Sequence, residues 1–237
     1  MPNPYFSFKK FTIYQDKCAM KVGIDGVLLG VWASLENADN ILDIGTGTGL
    51  IALMLAQRSN SIIDAIEIEP NAVIQATENA NNSPWSNQIQ VMQISLQAFA
   101  EIANKQYDLI VSNPPYFNNS LKAPSESRTA ARHTDSLTHE ELIENAIKLL
   151  KPEGRICLIL PVNEGLRCVD FAKKNGLHCA KKVTVFPKPN AAAKRLLLEF
   201  SLIPVQKESS ELVIEAVERH QYSPEFSLLA KDFYLKL

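Results

Sequence analysis

The chain has 237 residues, 46% of them hydrophobic, with a formal net charge of −2. That is enough apolar material for one sizeable core, and no long Gly/Ser linker divides it. A single domain is expected, with an N-terminal extension over 1–38, a core over 39–205 and a C-terminal tail over 206–237 packed on the core. The near-neutral charge counts against a general nucleic-acid binder, and no apolar run approaches a membrane span.

Met1-Pro2-Asn3-Pro4-Tyr5 lacks the apolar stretch of a signal peptide, which points to the cytoplasm. Asp25, just before Gly26-Val27-Leu28-Leu29, has the position of a helix N-cap. A first strand is expected over 41–44. It runs through Asp43 into Gly45-Thr46-Gly47-Thr48-Gly49, followed by an apolar helix near 49–58. Glycines there let backbone approach a ligand closely, and the helix N-terminus behind them favours anionic groups. The spacing is Gly-x-Gly-x-Gly, however, and neither the dinucleotide Gly-x-Gly-x-x-Gly nor the Gly-Lys-Ser/Thr of a phosphate loop occurs. A neutral or zwitterionic nucleoside fits this turn better than a phosphate.

A second strand over 62–68 carries Glu67, eighteen residues after Gly49. A carboxylate at a strand tip can accept both ribose hydroxyls of a nucleoside. Glu69, which precedes Pro70 at the start of a helix near 70–81, competes for that role, and Glu67 also reads as a solvated strand-end acid. The position of Glu67 in the pattern favours it as the ligand. A third strand over 89–94 is followed by Ser95.

The fourth strand, over 107–112, delivers Asn113-Pro114-Pro115-Tyr116. An exocyclic amine on a base has its lone pair delocalised into the ring, so a site that alkylates it must draw the nitrogen toward sp³ geometry. Acceptors for its two hydrogens do so. The Asn113 side-chain oxygen and the Pro114 carbonyl can take them, Pro115 stiffens the backbone and removes a competing donor, and Tyr116 offers a stacking face. This is positioning and electrostatic help, and it requires no histidine or carboxylate at the nitrogen. Taken alone, the quartet is equally an ordinary turn, since Asn-Pro starts turns and Pro-Pro occurs in loops.

Phe117 to Leu137 lacks periodicity and is long for a connection in a compact domain; such segments tend to be functional or mobile. Helices near 139–150 and 163–175 then flank a strand at 155–160. Strands near 181–186 and 194–203 leave no room for a crossover helix and are expected to pair antiparallel. The alternation before them implies right-handed βαβ units and a parallel sheet covered on both faces. Ligands in such sheets bind beyond the carboxyl ends of the strands, where Gly45, Glu67, Ser95 and Asn113 all fall, so one edge can carry the whole site. Cys18, Cys157, Cys168 and Cys179 have no paired spacing and read as buried free thiols, while the four histidines form no metal-ligand pattern.

Asp43 to Gly49, Glu67 and Asn113 to Tyr116 together resemble the class I S-adenosylmethionine-dependent methyltransferases of the N6-adenine and glutamine-N5 type. The resemblance implies a Rossmann-like α/β fold with a mostly parallel seven-stranded sheet, one strand antiparallel, and helices on both faces. It implies that Asp43, Gly45, Thr46, Gly47 and Gly49 wrap the cofactor S-adenosylmethionine, that Glu67 holds its ribose, and that Lys21 or Asp25 meets its methionine end. The family usually has an acid after the third strand to hold the cofactor's adenine amine, and this chain has Ser95, whose hydroxyl makes a weaker contact. The segments Cys18 to Gly30, Arg128 to Leu137 and Tyr222 to Leu235 resemble more closely the bacterial tRNA1(Val) adenine-N6 methyltransferases, which modify adenine 37, immediately 3′ of the anticodon. That resemblance covers nearly the whole chain.

Local charge fits such a substrate. Residues 1–22 carry +3, 117–133 carry +2 and 181–195 carry +5, which leaves about −12 on the remainder. Basic edges around an aromatic pocket suit a phosphate-lined RNA loop, with Arg128, Arg132, His133, Lys188, Lys194 and Arg195 as the candidate RNA contacts. For any single lysine, a solvated hairpin end or a guarded sheet edge is the simpler reading. Loop bases are only partly stacked, so extracting one from an anticodon loop costs little. No metal is expected, and a monomer is favoured. Three other functions remain open. Protein glutamine methylation uses the same chemistry, but that class typically carries a helical substrate domain before the glycine turn. Ribosomal RNA guanine-N2 methylation presents a similar amine, and a cofactor- or RNA-binding module would carry the fold without catalysis.

Overall fold

The computed structural model describes residues 3–115, 137–217 and 221–236, so Tyr116, Arg128, Arg132 and His133 lie outside the described residues. Near the N-terminus, β1 (Tyr5–Ser7) and β2 (Thr12–Tyr14) form a small antiparallel hairpin. The main sheet contains β3 (Asn40–Ile44), β4 (Ile62–Glu67), β5 (Ile89–Gln93), β6 (Tyr107–Ser112), β7 (Leu150–Pro161), β8 (His178–Phe186), β9 (Arg195–Ser201) and β10 (Glu208–Val213). Their spatial order is β10-β8-β9-β7-β6-β3-β4-β5, and β9 runs against all the others.

The sheet therefore has eight strands where seven are expected. The addition is β10, which lies at the edge and pairs in parallel with β8. Its sequence, Glu208-Ser-Ser-Glu-Leu-Val213, buries only Leu212 fully, so no apolar alternation marks it as a strand.

Seven helices are described: α1 (Ile24–Trp32), α2 (Leu50–Arg58), α3 (Pro70–Asn81), α4 (Leu96–Ile102), α5 (His139–Leu149), α6 (Val162–Lys174) and α7 (Pro224–Ala230). Their starts have local causes. Glu69 caps α3 by accepting the Ala72 N–H at 2.7 Å ahead of Pro70, and Thr138 and Glu141 close a reciprocal capping box on α5. The start of α1 departs from expectation. Its N-cap is Gly23, without a side-chain cap, and Asp25 sits inside the first turn.

Side chains alternate between the faces of each strand, and the core divides accordingly. Ile41, Ile63, Leu109, Val111 and Ile159 face α1, α2, α3 and α7 on one side. Leu42, Ile44, Ile66, Ile110 and Leu158 face α4, α5 and α6 on the other. Each fully buried Leu, Ile or Val contributes roughly 1.5–3 kcal/mol relative to exposure. All four cysteines are free; Cys18, Cys157 and Cys168 are buried as expected, whereas Cys179 is half-buried. Among the described residues, no helix is long and apolar enough to cross a membrane.

The two ends of the chain pack on one another. Phe8 stacks on Phe11 with centroids 4.7 Å apart, Tyr234 meets Phe6 edge-on at 6.0 Å, and the Lys9 N–H donates to the Phe233 carbonyl. Phe226, fully buried, anchors α7 into the same cluster. Phe226→Ala is therefore expected to cost about 3–5 kcal/mol in urea unfolding through loss of contacts and a residual cavity.

Candidate cofactor and acceptor site

The parallel register aligns the carboxyl ends of four strands. Ile44 pairs with both Ile66 and Ser112, and Glu67 pairs with Gln93. The residues that follow, Gly45, Glu67 itself, Ser95 and Asn113, consequently share one edge. The Ser112 hydroxyl reinforces this by donating to the Ile44 carbonyl at 2.8 Å, immediately before Asn113.

Gly45, Gly47 and Gly49 have φ of 69°, 55° and 81°, a left-handed backbone that side chains with a Cβ rarely adopt. A Cβ placed on Gly45 or Gly47 would meet nothing within 4 Å, so open space lies over the turn, whereas one on Gly49 would reach Ala76 of α3 at 3.5 Å. The turn is fastened to the next strand. The amides of Gly45 and Thr46 donate to the Ile66 carbonyl at 2.9 and 3.1 Å, and that of Gly47 to Glu67 Oε2 at 3.0 Å. Glu67 Oε1 accepts two further amides, from Ile68 at 2.8 Å and Glu69 at 3.1 Å. Glu69 is occupied as the cap of α3, which leaves Glu67 as the carboxylate facing the turn.

Several of the remaining candidates are engaged within the protein. Ser95 is the N-cap of α4, a helix the periodicity did not reveal, and its hydroxyl accepts the Ala98 N–H at 3.2 Å. Lys21 donates to the carbonyls of Gln15 and Cys18. Asp25 and Arg195, expected to meet different ligands, form an ion pair with Nε 2.8 Å from Oδ2. Because β9 is reversed, Arg195 pairs with Pro161 and Val185, at the same edge as the glycine turn. Lys188 reaches Glu215 at 3.1 Å, and Lys194 is exposed. Asn113 is half-buried, Pro114 buried and Pro115 exposed. Among the described residues no group of three or more His, Cys, Asp or Glu could hold a metal ion. Sequence reasoning missed Asn79, Gln75 and Gln15, buried polar residues that hold the chain around the turn. Their signal is faint: Gln75 and Asn79 are two amides four residues apart on the Ala-rich face of α3.

A sequence model of the methyltransferase small domain matches residues 26–171. The chain is 56% identical over 238 residues to a tRNA1(Val) (adenine(37)-N6)-methyltransferase from Parabacteroides distasonis, covering 100% of both chains. It is 50% identical to one so named from Trichodesmium erythraeum, covering 98% of each. Among solved structures, a predicted O-methyltransferase from Agrobacterium tumefaciens is similar in fold, with a TM-score of 0.68 at 18% identity over 88% of this chain and 96% of that one.

Asp43 is the electrostatic anomaly of the edge. It is fully buried; Thr46 donates to its Oδ2 at 2.6 Å, and Oδ1 is left without a hydrogen bond of full geometry. Burial pushes its carboxyl up to about 7, the charge of Glu67 adds to this, and the Thr46 hydroxyl and Ala52 amide pull against it. The folded protein thus retains a proton between about pH 4 and 7 that the unfolded chain has released, and stability declines as pH rises through that window. Asp43→Asn should flatten the decline, worth up to about 4 kcal/mol, when urea unfolding of the ligand-free protein is compared at pH 4.5 and pH 8; parallel profiles for the two proteins would contradict it.

Proposed function

Because the chain belongs to the family of tRNA1(Val) (adenine(37)-N6)-methyltransferases, we propose that it transfers a methyl group from S-adenosylmethionine to N6 of adenine 37, beside the anticodon of tRNA1(Val). The observation that carries this reading is the shared edge: Asn113-Pro114-Pro115 leaves β6 next to the glycine turn and Glu67.

The residues fit the cofactor. Open space over Gly45 and Gly47 leaves room for a ligand against the backbone, and Asp43 beneath it braces the turn through Thr46. Glu67 already accepts three amides, so of its roughly four acceptor sites one remains, on Oε2, for a ribose hydroxyl. Ser95 keeps a lone pair for the adenine amine while capping α4, and Lys21 keeps one of its three N–H bonds for the methionine carboxylate. Asp25, through its pair with Arg195, lines the same end. When bound, S-adenosylmethionine supplies an electrophilic methyl group on a sulfonium.

Asn113 and the Pro114 carbonyl take the two amine hydrogens and orient the nitrogen lone pair, and Tyr116 stacks on the base. Their contribution is positioning and electrostatic stabilisation, which needs no metal and no strong base. Arg128, Arg132 and His133, with Lys188, Lys194 and Arg195, line the RNA side and meet phosphates of the anticodon loop. The protein acts as a cytoplasmic monomer. One domain carries all of this, with 1–38 edging the cofactor, 39–205 forming the core and 206–237 packed against it.

The test is transfer of labelled methyl to tRNA from a strain lacking this enzyme, with nucleoside mass spectrometry. The expected product is N6-methyladenosine confined to valine tRNA, with Asn113→Ala lowering kcat/KM by about 100-fold or more. Saturable cofactor binding without transfer to tRNA would move the acceptor to ribosomal RNA or a protein glutamine.

A further inference from the structure

The glycine turn is held from outside the sheet as well as from within. Asn79, in the last turn of α3 and 1% exposed, engages both ends of its amide. Its Nδ2 donates to the carbonyls of Thr48 and Tyr14, both at 2.8 Å, and its Oδ1 accepts the Tyr14 N–H at 2.9 Å. One turn earlier, Gln75 is fully buried and accepts the Lys17 N–H at 3.0 Å. Gln15 then folds the segment back on itself: its Oε1 accepts the Val22 N–H at 2.8 Å, and its carbonyl, with that of Cys18, receives the Lys21 ammonium. The buried Cys18 thiol is pushed up to about 11, first by burial and then by the charges of Glu67 and Glu69. Through Asn79 the segment is held beside the glycine turn.

We propose that Asn79 is a positioning residue that locks residues 14–22 onto the glycine turn, so that cofactor binding and closure of this segment are one coupled event. The proposal rests on the cofactor reading of the turn given above. Thr48 lies between Gly47 and Gly49, so its carbonyl orientation is part of the turn's left-handed backbone. The same Nδ2 that fixes it also fixes Tyr14, and neither contact can loosen without disturbing the amide that makes the other. A buried amide with both N–H groups and its oxygen bonded is rigid, and losing a partner leaves a desolvated carbonyl unsatisfied. Coupling of this kind is reciprocal: if closure favours the cofactor, the cofactor favours closure.

Two measurements test this with S-adenosylhomocysteine as the probe. In the wild-type protein, a saturating concentration should slow hydrogen exchange at the Tyr14, Lys17 and Val22 amides as well as within Gly45–Gly49. Asn79→Asp, which keeps the shape but sets an oxygen against two carbonyls, should weaken calorimetric affinity by about tenfold or more. Slowed exchange in the glycine turn with none in residues 14–22, or a folded variant that binds like wild type, overturns the coupling and leaves the cofactor reading standing. Failure of the wild-type protein to bind the probe overturns both. Should the variant not fold, the wild-type exchange pattern decides.

Discussion

Three backbone N–H groups, from Gly47, Ile68 and Glu69, converge on the Glu67 carboxylate from the exits of two neighbouring strands. A charged acceptor bonded to amides is stronger than a neutral one, and here it ties the turn after β3 to the end of β4. The Ile66 carbonyl completes the tie by accepting Gly45 and Thr46. Gly45 and Gly47 reach their acceptors from a left-handed backbone, which costs residues with a Cβ roughly 1–2 kcal/mol per position. The parallel register then does the rest, since fixing the exits of β3 and β4 also fixes that of β6, through Ile44 and Ser112. Asn113 inherits its place from this chain of contacts.

Buried polarity concentrates at this edge, and it works against stability. Among the described residues Asp43 makes no ion pair with a cation, and Gln75 and Asn79 draw part of their hydrogen bonding from backbone groups of the N-terminal segment. An apolar residue at any of these positions would pack more cheaply. Their presence at the carboxyl ends of the strands contrasts with the apolar filling of both sheet faces, where the fold is held together.

Much of this was legible in the sequence, for physical reasons. Apolar runs such as Ile41–Ile44 and Leu109–Val111 are buried on both faces and read as strands without ambiguity, and the glycine spacing marked the turn after the first of them. The strand expected over 155–160 extends from Leu150 to Pro161, because Leu150 pairs with Tyr107 across an irregularity that no apolar pattern announces. Short or polar elements escaped for the same reason: α4 has seven residues, and β10 is mostly exposed. The cap of α1 escaped because Gly23 does without a side chain and Asp25 is drawn to Arg195, a partner 170 residues away. Separate ligands were expected for those two residues, since only the reversed strand β9 brings them together. Asn79 escaped likewise, because its three bonds go to backbone atoms far along the chain.

In the proposed function, cofactor and acceptor amine lie side by side on one sheet edge. A crystal structure with S-adenosylhomocysteine and an anticodon stem-loop of tRNA1(Val) tests it most directly. The expected complex has the cofactor over Gly45–Gly49 with a ribose hydroxyl on Glu67, and adenine N6 within hydrogen-bond distance of Asn113 Oδ1 and the Pro114 carbonyl. An adenine bound away from Asn113, or a cofactor away from the glycine turn, would contradict it.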